Sequence, residues 1–270
     1  MNRKLTELSH KEQQLYFLLE NKNLNLFSIS DLRNLKLSFS KNYLNVILHR
    51  LAKKKYIYKI KKGLYLRIPA SCILEGKLYL EGPFLIATKL FNGYLAFLSA
   101  LRYYNLTDYQ TFTIFIATKN KSKLISIGNY EFKAINIGKK FVGFRRLGNY
   151  KVSTLAKTFF DCFYKPEYAI SYSEILKSLF NCKKIDFREF ISYFKSFASH
   201  SLCQRTGYLL SLLNQETTYK VPKFVLEFFA SKVKVKTKLL PISKKGIFIR
   251  EWQLVDNIGK KELLNFWYYG

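Results

Sequence analysis

The sequence predicts an α+β protein with an N-terminal winged helix-turn-helix and a second α+β domain, which combines a small, mostly antiparallel sheet with a helical group. Two observations predict this class. Residues 27–68 have the pattern of helix, turn, helix and lysine-rich hairpin. Residues 111–152 have the pattern of short strands, and helical segments follow them in the sequence. We place the boundary after Pro69, which gives a winged domain over 1–69 and a second domain over 70–270.

The chain is strongly basic. Its 270 residues carry 46 basic and 18 acidic side chains, for a net charge of +28. Such a field favours polyanionic partners and speeds encounter with nucleic acid. A hydrophobic content of 49% excludes general disorder.

Several absences narrow the cellular setting. No apolar run approaches the ~18–20 residues of a membrane span, so we expect no membrane partner. The first fourteen residues lack the apolar core of a signal peptide, and the four cysteines form no CxxC pair. We therefore expect a cytoplasmic protein with reduced thiols.

The N-terminal elements follow in order. Residues 10–22 predict a first helix. Ser28 or Ser30 can cap a short helix that continues to Leu35, and Ser38 or Ser40 can cap a longer one. The longer helix has an apolar stripe at i, i+3, i+4 and i+7. The stripe consists of Leu44, Ile47, Leu48 and Leu51.

The opposite face of this helix and the hairpin after it suit DNA. Strands over 56–60 and 64–68 flank Lys61-Lys62-Gly63, which is a hairpin signal. Winged helix-turn-helix proteins place the second helix of the motif in the major groove. The predicted DNA-binding residues are Lys41, Asn42, Tyr43, Asn45, Val46, His49, Arg50, Lys53, Lys59, Lys61 and Lys62.

Each of these side chains suits a different part of the duplex. Asn42 and Asn45 can pair with adenine edges, Arg50 with guanine, and Val46 can touch a thymine methyl. Lysines 53–55 and those of the hairpin can neutralise phosphates, and Arg67 adds to the positive charge at this end of the motif. In the alternative interpretation, Tyr43 and Val46 pack on the preceding helix and the motif contacts protein.

The second domain begins after a short linker or strand region over 70–82. Pro83 suits the start of a helix that continues to Leu90. Residues 94–104 predict a buried helix. Strands follow at 112–118, 124–127, 130–135, 144–147 and 150–152, with Gly-Asn turns at 128–129 and 148–149.

A helical group and closing strands complete the domain. Ser153 can cap a helix over 154–164, which Lys165-Pro166 ends. The remaining predicted helices cover 173–179, 187–197, 202–213 and 260–268, with strands at 233–240 and 247–252.

The chain resembles the AbiEi family of antitoxins and transcriptional regulators over nearly its whole length. The resemblance depends on the order and spacing of short motifs. These are Lys62-Gly63-Leu64-Tyr65, Tyr94-Leu95, Ser99-Ala100-Leu101, Leu106-Thr107-Asp108, Val152-Ser153-Thr154, Lys157-Thr158, Asp161-Cys162, Tyr164-Lys165-Pro166-Glu167-Tyr168, Arg205-Thr206-Gly207-Tyr208-Leu209-Leu210, Trp252 and Asn257.

The resemblance implies a two-domain antitoxin. The winged helix would repress its own operon by binding double-stranded operator DNA. The second domain would counter a nucleotidyltransferase-like toxin, AbiEii, either directly or through the toxin's RNA target. The family usually has Pro-Glu where this chain has Leu155-Ala156. The residues implied for the antitoxin domain are Ser99, Lys157, Thr158, Asp161, Arg205 and Tyr208.

Spacing alone also allows structural roles for these residues. Lys157 and Asp161 lie at i and i+4, where they can form a surface ion pair. Arg205 can bond the backbone or a carboxylate, with Asp161 a candidate partner.

Two alternatives to an antitoxin remain at this stage. One is a transcription regulator without a toxin. The other is a metal-dependent nuclease that uses Asp108 and Glu131-Phe132-Lys133. The chain lacks the HExxH, GxGxxG and P-loop motifs, and His200 with Cys203 supplies only two of four metal ligands. We therefore expect no enzyme activity, metal or cofactor.

Overall fold

A computed structural model describes residues 7–35, 37, 39–75, 80, 82–147, 150–242 and 245–270, with all side chains there except those of Lys41, Leu74 and Glu75. The chain divides into two compact units. The N-terminal unit comprises Met1–Ile86 with Ser126–Tyr130, and the C-terminal unit comprises Ala87–Ile125 with Glu131–Gly270. Both combine helices with small sheets, which confirms the predicted α+β class.

The N-terminal unit has the order of elements expected for a winged helix. Its three strands form a sheet of order β1-β3-β2 with antiparallel neighbours. The elements are α1 (His10–Asn21), β1 (Leu26–Ser28), α2 (Ile29–Arg33), α3 (Lys41–Lys53), β2 (Ile57–Lys61), β3 (Leu64–Arg67) and α4 (Ala70–Glu75).

Serine caps start the second and third helices. The Ser28 Oγ accepts a hydrogen bond from the Asp31 amide at 3.2 Å, and the Ser40 Oγ accepts one from the Tyr43 amide at 3.3 Å. These bonds satisfy amides that have no partner within the helix. The alternative cap Ser38 lies outside the described residues.

The predicted apolar stripe of α3 forms the core of this unit. Leu44, Ile47, Leu48 and Leu51 are all buried. They pack with Leu15 and other buried residues of α1, α2 and the sheet. One expectation here was wrong, because residues 70–75 form helix α4 rather than a linker or strand.

The later elements lie wholly or mainly in the C-terminal unit, except for helix α5 (Pro83–Leu90), whose first four residues belong to the N-terminal unit. Helix α5, predicted from Pro83, is confirmed. The helices are α5 (Pro83–Leu90), α6 (Phe97–Tyr103), α7 (Leu155–Tyr164), α8 (Tyr172–Asn181), α9 (Phe187–Phe197), α10 (His200–Glu216), α11 (Lys223–Ala230), α12 (Lys260–Leu263) and α13 (Asn265–Tyr268), with 3-10 turns at Gly138–Lys140 and Pro166–Tyr168.

The larger sheet contains both antiparallel and parallel strand pairs. Its six strands have the order β6-β7-β5-β4-β9-β8, and the pairs β5–β7 and β4–β9 are parallel. A second sheet has the order β10-β12-β11. The strands are β4 (Gly93–Leu95), β5 (Thr113–Thr118), β6 (Lys123–Ile127), β7 (Tyr130–Asn136), β8 (Phe144–Leu147), β9 (Tyr150–Ser153), β10 (Thr237–Lys238), β11 (Ile247–Ile249) and β12 (Leu254–Asp256).

Strand β4 replaces the start of a predicted helix. Tyr94 and Leu95 pair with Ala117 and Ile116, and the helix begins only at Phe97. A fully buried apolar run does not distinguish strand from helix. Gly93 contributes to the outcome, because a Cβ there would lie 2.3 Å from the Ala117 carbonyl oxygen.

Several helix boundaries also differ from the prediction. Helix α7 is capped by Thr154, whose Oγ accepts from the Lys157 amide at 3.2 Å, while the predicted cap Ser153 belongs to β9. Helices α8 and α10 extend beyond the predicted ranges. Helix α11 and strand β12 were not predicted. The Gly148-Asn149 turn lies outside the described residues.

Aromatic side chains dominate the core of the C-terminal unit. Phe160, Phe190, Phe194 and Phe229 form a chain of ring contacts, with centroids 4.8 to 6.2 Å apart. Such edge-to-face and tilted arrangements are favourable beyond the area that they bury. All four cysteines are free thiols. In the described ranges, no helix combines the length and apolarity that crossing a bilayer requires.

Candidate nucleic-acid interface

The residues of α3 that were predicted to contact DNA bases lie on the solvent-exposed face of the helix. The buried stripe directs the opposite side of the helix outward. The exposed side chains on this face are Asn42, Tyr43, Asn45, Val46, His49, Arg50 and Lys53. The side chain of Lys41, the first residue of α3, lies outside the described set.

Two large apolar side chains remain exposed among these polar groups. Val46 is 41% exposed and Tyr43 is 38% exposed. The Tyr43 ring makes an edge contact with Phe39, with centroids 6.2 Å apart, so it both packs and faces solvent. An exposed valine on the same face as Asn42 and Asn45 can contact a thymine methyl, while the amides bond base edges.

The hairpin adds a basic surface. The turn at Lys62-Gly63 is possible because Gly63 has φ +77°, a left-handed conformation that favours glycine. The lysines 59, 61 and 62 are exposed, and so in part is Tyr58. We call the exposed side chains of α3 and of this hairpin the winged face. Its lysines suit contacts to DNA phosphates, which position a protein on the duplex but do not distinguish one base sequence from another.

Two of the predicted basic residues do not belong to this face. Lys54 donates to the Glu12 carboxylate and to the Glu7 carbonyl, each at 2.7 Å. Arg67 is buried, and it donates to Glu20 at 3.0 Å and to Asn25 at 2.6 Å. Both side chains therefore form contacts within the N-terminal unit. The basic surface is smaller than the number of lysines and arginines in the motif predicts.

The Glu12 carboxylate has a perturbed pKa. Burial alone would raise the pKa, but the hydrogen bonds from Lys54 and from the Ser9 amide outweigh that effect and lower it. The negative charge of Glu12 is thus favoured in the folded state.

Two of the residues implied for the antitoxin domain, Lys157 and Asp161, form a buried polar cluster with Tyr94. Lys157 donates to the Asp161 carboxylate and to the Tyr94 hydroxyl, the latter at 3.0 Å, and Tyr94 donates to Asp161 at 3.1 Å. Thr158 lies beside them and donates to the Thr154 carbonyl at 2.8 Å. We call Tyr94, Lys157 and Asp161 the buried triad.

The prediction that Lys157 and Asp161 form an ion pair is correct, but the pair is buried and not on the surface. The side chains of Lys157 and Asp161 are both 0% exposed. Burial raises the pKa of Asp161 and lowers the pKa of Lys157, because it disfavours both charges, while their mutual attraction opposes both shifts. The pair stabilises its charges only as long as each partner is present. Tyr94 belongs to one of the motifs of the resemblance, but it was not among the residues implied for the antitoxin domain, because it lies within an apolar run.

The other implied residues make separate structural contacts. The Ser99 hydroxyl accepts from the Phe115 amide at 2.8 Å, and Tyr208 donates to Asp256 at 2.7 Å. Arg205 donates through Nε to the Lys238 carbonyl at 2.8 Å, which matches the predicted backbone partner rather than Asp161. A partner contact by any of these residues stays a prediction.

Asp108 and Glu131, the carboxylates of the nuclease alternative, belong to no group of potential metal ligands among the described residues. Asp108 is 89% exposed and pairs with Lys177 at 3.0 Å. Glu131 accepts from the Thr113 hydroxyl at 3.4 Å, and the His200 ring lies 3.2 Å from the Lys232 carbonyl oxygen. Within the described ranges, no three His, Cys, Asp or Glu side chains are grouped to hold a metal ion.

Comparisons with known proteins address the fold. No family model matches this sequence, and no curated protein matches it. The chain is similar to a crystal structure of the RV2827C protein from Mycobacterium tuberculosis, with a TM-score of 0.66 and 14% identity. The match covers 96% of this chain and 95% of that one. At this identity the similarity shows a shared fold and nothing more.

Proposed function

We propose that the protein is a transcriptional repressor that binds double-stranded operator DNA through its winged face. The observation that carries the proposal is the exposed side of α3, where Asn42, Asn45 and Val46 face solvent beside Arg50. Amide side chains next to a methyl-bearing one match the groups that adenine and thymine present in the major groove.

The hairpin supports the same proposal through charge. Exposed lysines at 59, 61 and 62 extend the basic surface beyond α3. Contacts of this kind release counterions from DNA and make binding strongly salt dependent. The net charge of +28 adds a general attraction to nucleic acid, which the reading residues convert into preference for one sequence.

We further propose that this repressor is an antitoxin that represses its own operon and counters a nucleotidyltransferase-like toxin encoded beside it. Support for this role comes from the resemblance to the AbiEi family. The C-terminal unit would act on the toxin directly or on the toxin's RNA target.

The test of repression is binding of the purified protein to its own upstream DNA across a salt series, with random DNA of equal length beside it. We expect at least ~10³-fold tighter binding to the upstream DNA, as for specific regulators. Binding to both DNAs should weaken steeply as salt rises, by about 0.9 in the logarithmic slope for each phosphate contact.

A matched variant makes this test specific to the winged face. Replacing Lys59 and Lys62 by alanine should lower the salt slope for both DNAs. Replacing the exposed lysines 234 and 236 of the C-terminal unit should leave the slope unchanged. Equal, weak binding of the unaltered protein to both DNAs would contradict a role as a repressor.

Toxin neutralisation needs a separate test. The full chain should restore growth to cells that express the neighbouring nucleotidyltransferase-like gene, and the Asn42 and Asn45 alanine variant should do so equally well. Continued growth arrest despite normal levels of the protein would contradict the antitoxin role and leave repression untouched.

A further inference from the structure

The C-terminal unit contains a cavity that the proposed function does not use. It has a volume of about 810 Å³, which lies within the range of small-molecule sites. Most of its wall is apolar. The apolar lining residues are Phe163, Tyr164, Pro166, Ile170, Phe197, Leu202, Leu240, Pro241 and Ile258. The wall can therefore surround the apolar body of an organic molecule.

The charged groups of the wall are mainly positive. Arg205 and Lys140 line the cavity together with a single carboxylate, that of Glu167. Glu167 is paired with Lys165 at 3.8 Å, which offsets its charge. Arg205 uses Nε for the Lys238 carbonyl, so its terminal nitrogens remain the donors suited to an anion.

Tyr172 supplies a second donor in the same wall. Its side chain is only 5% exposed, yet its hydroxyl has no hydrogen-bond partner in the described part of the chain. The hydroxyl experiences the charges of Arg205 and Glu167, which both line the cavity. Because Tyr172 lines the cavity, this hydroxyl can donate a hydrogen bond to an oxygen of a ligand bound there.

The backbone adds to the positive character of the cavity. Helices α8 and α10 begin at its wall, and their capping serines Ser171 and Ser199 line it. The amides at a helix start attract negative charge. The helix starts therefore add to the positive potential of the cavity, which comes mainly from Arg205 and Lys140.

From these features together we propose that the cavity binds a small organic anion, with its carboxylate, sulfonate or phosphate against Arg205 and Tyr172 and its apolar body against Phe197 and Leu202. The apolar wall provides affinity, and the arginine and tyrosine fix the orientation. This site is independent of the winged face and of the proposed repression.

The test uses two fluorescent probes of similar shape, anilinonaphthalene sulfonate and uncharged phenylnaphthylamine. The full-length protein should bind the sulfonate at one site, at least tenfold more tightly than the uncharged probe. Arg205→Gln should weaken sulfonate binding at least tenfold and leave the uncharged probe unchanged. Tyr172→Phe, which removes only the hydroxyl, should weaken sulfonate binding several-fold.

Control variants locate the site. Arg250→Gln removes an exposed arginine of the same unit away from the cavity, and it should leave both affinities unchanged. Leu202→Trp should fill the cavity and abolish binding of both probes. Equal effects of Arg205→Gln and Arg250→Gln, or sulfonate binding that survives Leu202→Trp, would overturn the proposal. If Arg205→Gln fails to fold, Tyr172→Phe and Leu202→Trp decide the question.

Discussion

At the scale of single residues, the proposed DNA contacts of the winged face divide into those that read bases and those that hold phosphates. Asn42 and Asn45 are short side chains with little freedom beyond the helix surface. Each can form a paired hydrogen bond to one adenine edge, whereas the exposed lysines can reach phosphate from many positions.

Replacing Asn42 and Asn45 together by alanine should therefore remove sequence preference without removing DNA binding. Each lost paired contact costs about 1–3 kcal/mol of discrimination. Competition binding between upstream and random DNA measures the ratio of the two affinities, which should approach unity. The salt slope should stay unchanged, because the lysines remain.

Asn21→Ala is the matched control for this pair, since Asn21 is an exposed asparagine at the end of α1 rather than on the winged face. It should leave the preference intact. A double variant that still prefers the upstream DNA as strongly as the unaltered protein would show that α3 does not read sequence.

Prediction from sequence succeeded at this scale where local periodicity decided the outcome. The spacing of Leu44, Ile47, Leu48 and Leu51 correctly fixed which side of α3 is buried. It failed for Lys54 and Arg67, whose partners lie 42 and 47 residues away. Nothing in the local pattern of a lysine reveals a carboxylate that is remote in sequence.

At the scale of elements, the Glu12–Lys54 ion pair joins α1 to the residue that directly follows α3. Glu12 also closes the capping box of α1, because its carboxylate accepts from the Ser9 amide at 2.8 Å. One side chain thus caps its own helix and fixes a second one.

Glu12→Gln should lower the stability of the N-terminal unit by about 1.5–3 kcal/mol near neutral pH, the usual value of hydrogen bonds to charged groups. Because the folded state lowers the pKa of Glu12, this stabilisation is present above the ordinary value of 4.5 and is lost as the pH falls below it. Amide hydrogen exchange in α1, measured from neutral to acid pH, should show the difference and its disappearance.

Glu227→Gln provides the comparison, because Glu227 is an exposed carboxylate in a surface pair of the C-terminal unit. It should leave exchange in α1 unchanged at every pH. Amide exchange in α1 could also differ between Glu12→Gln and the unaltered protein at acid pH. Such a result would show that the Glu12 contact depends on the shape of the side chain and not on its charge.

The elements also show why some boundaries could not be predicted. Capped helices such as α3 were located well, since a serine followed by a periodic apolar pattern is a local signal. Strand β4 was not, because Tyr94 and Leu95 become a strand only through pairing with β5. The candidate cavity could not be predicted either, since Lys140 and Arg205 meet only through the tertiary fold.

At the scale of the whole molecule, the buried triad is a point where the C-terminal unit depends on charge. Both tryptophans of the chain, Trp252 and Trp267, lie in this unit, so their fluorescence reports its unfolding. Removing one partner of a buried ion pair leaves the other charge uncompensated.

Lys157→Met should accordingly destabilise the C-terminal unit by about 3–5 kcal/mol. Denaturant unfolding followed by tryptophan fluorescence measures this loss. The double variant that also carries Asp161→Asn should lose less than the sum of the two single variants, because the two side chains stabilise each other.

Lys223→Met is the control for this experiment. Lys223 and Glu227 have the same i, i+4 spacing as the buried pair, but their side chains are 90% and 62% exposed. The unfolding midpoint should not change. A similarly small effect of Lys157→Met would mean that the buried pair contributes no more than a surface pair. Identical spacing with opposite burial also explains why the sequence could not locate Lys157.

The parallel pairing of β4 with β9 determines when the larger sheet can form during synthesis. Leu95 pairs with Val152, so the sheet cannot close until all the chain between them has left the ribosome. The winged motif from α1 to β3 depends on contacts nearer in sequence, and such topologies fold faster. A nascent chain would therefore complete its winged face before the rest of the molecule has been synthesised.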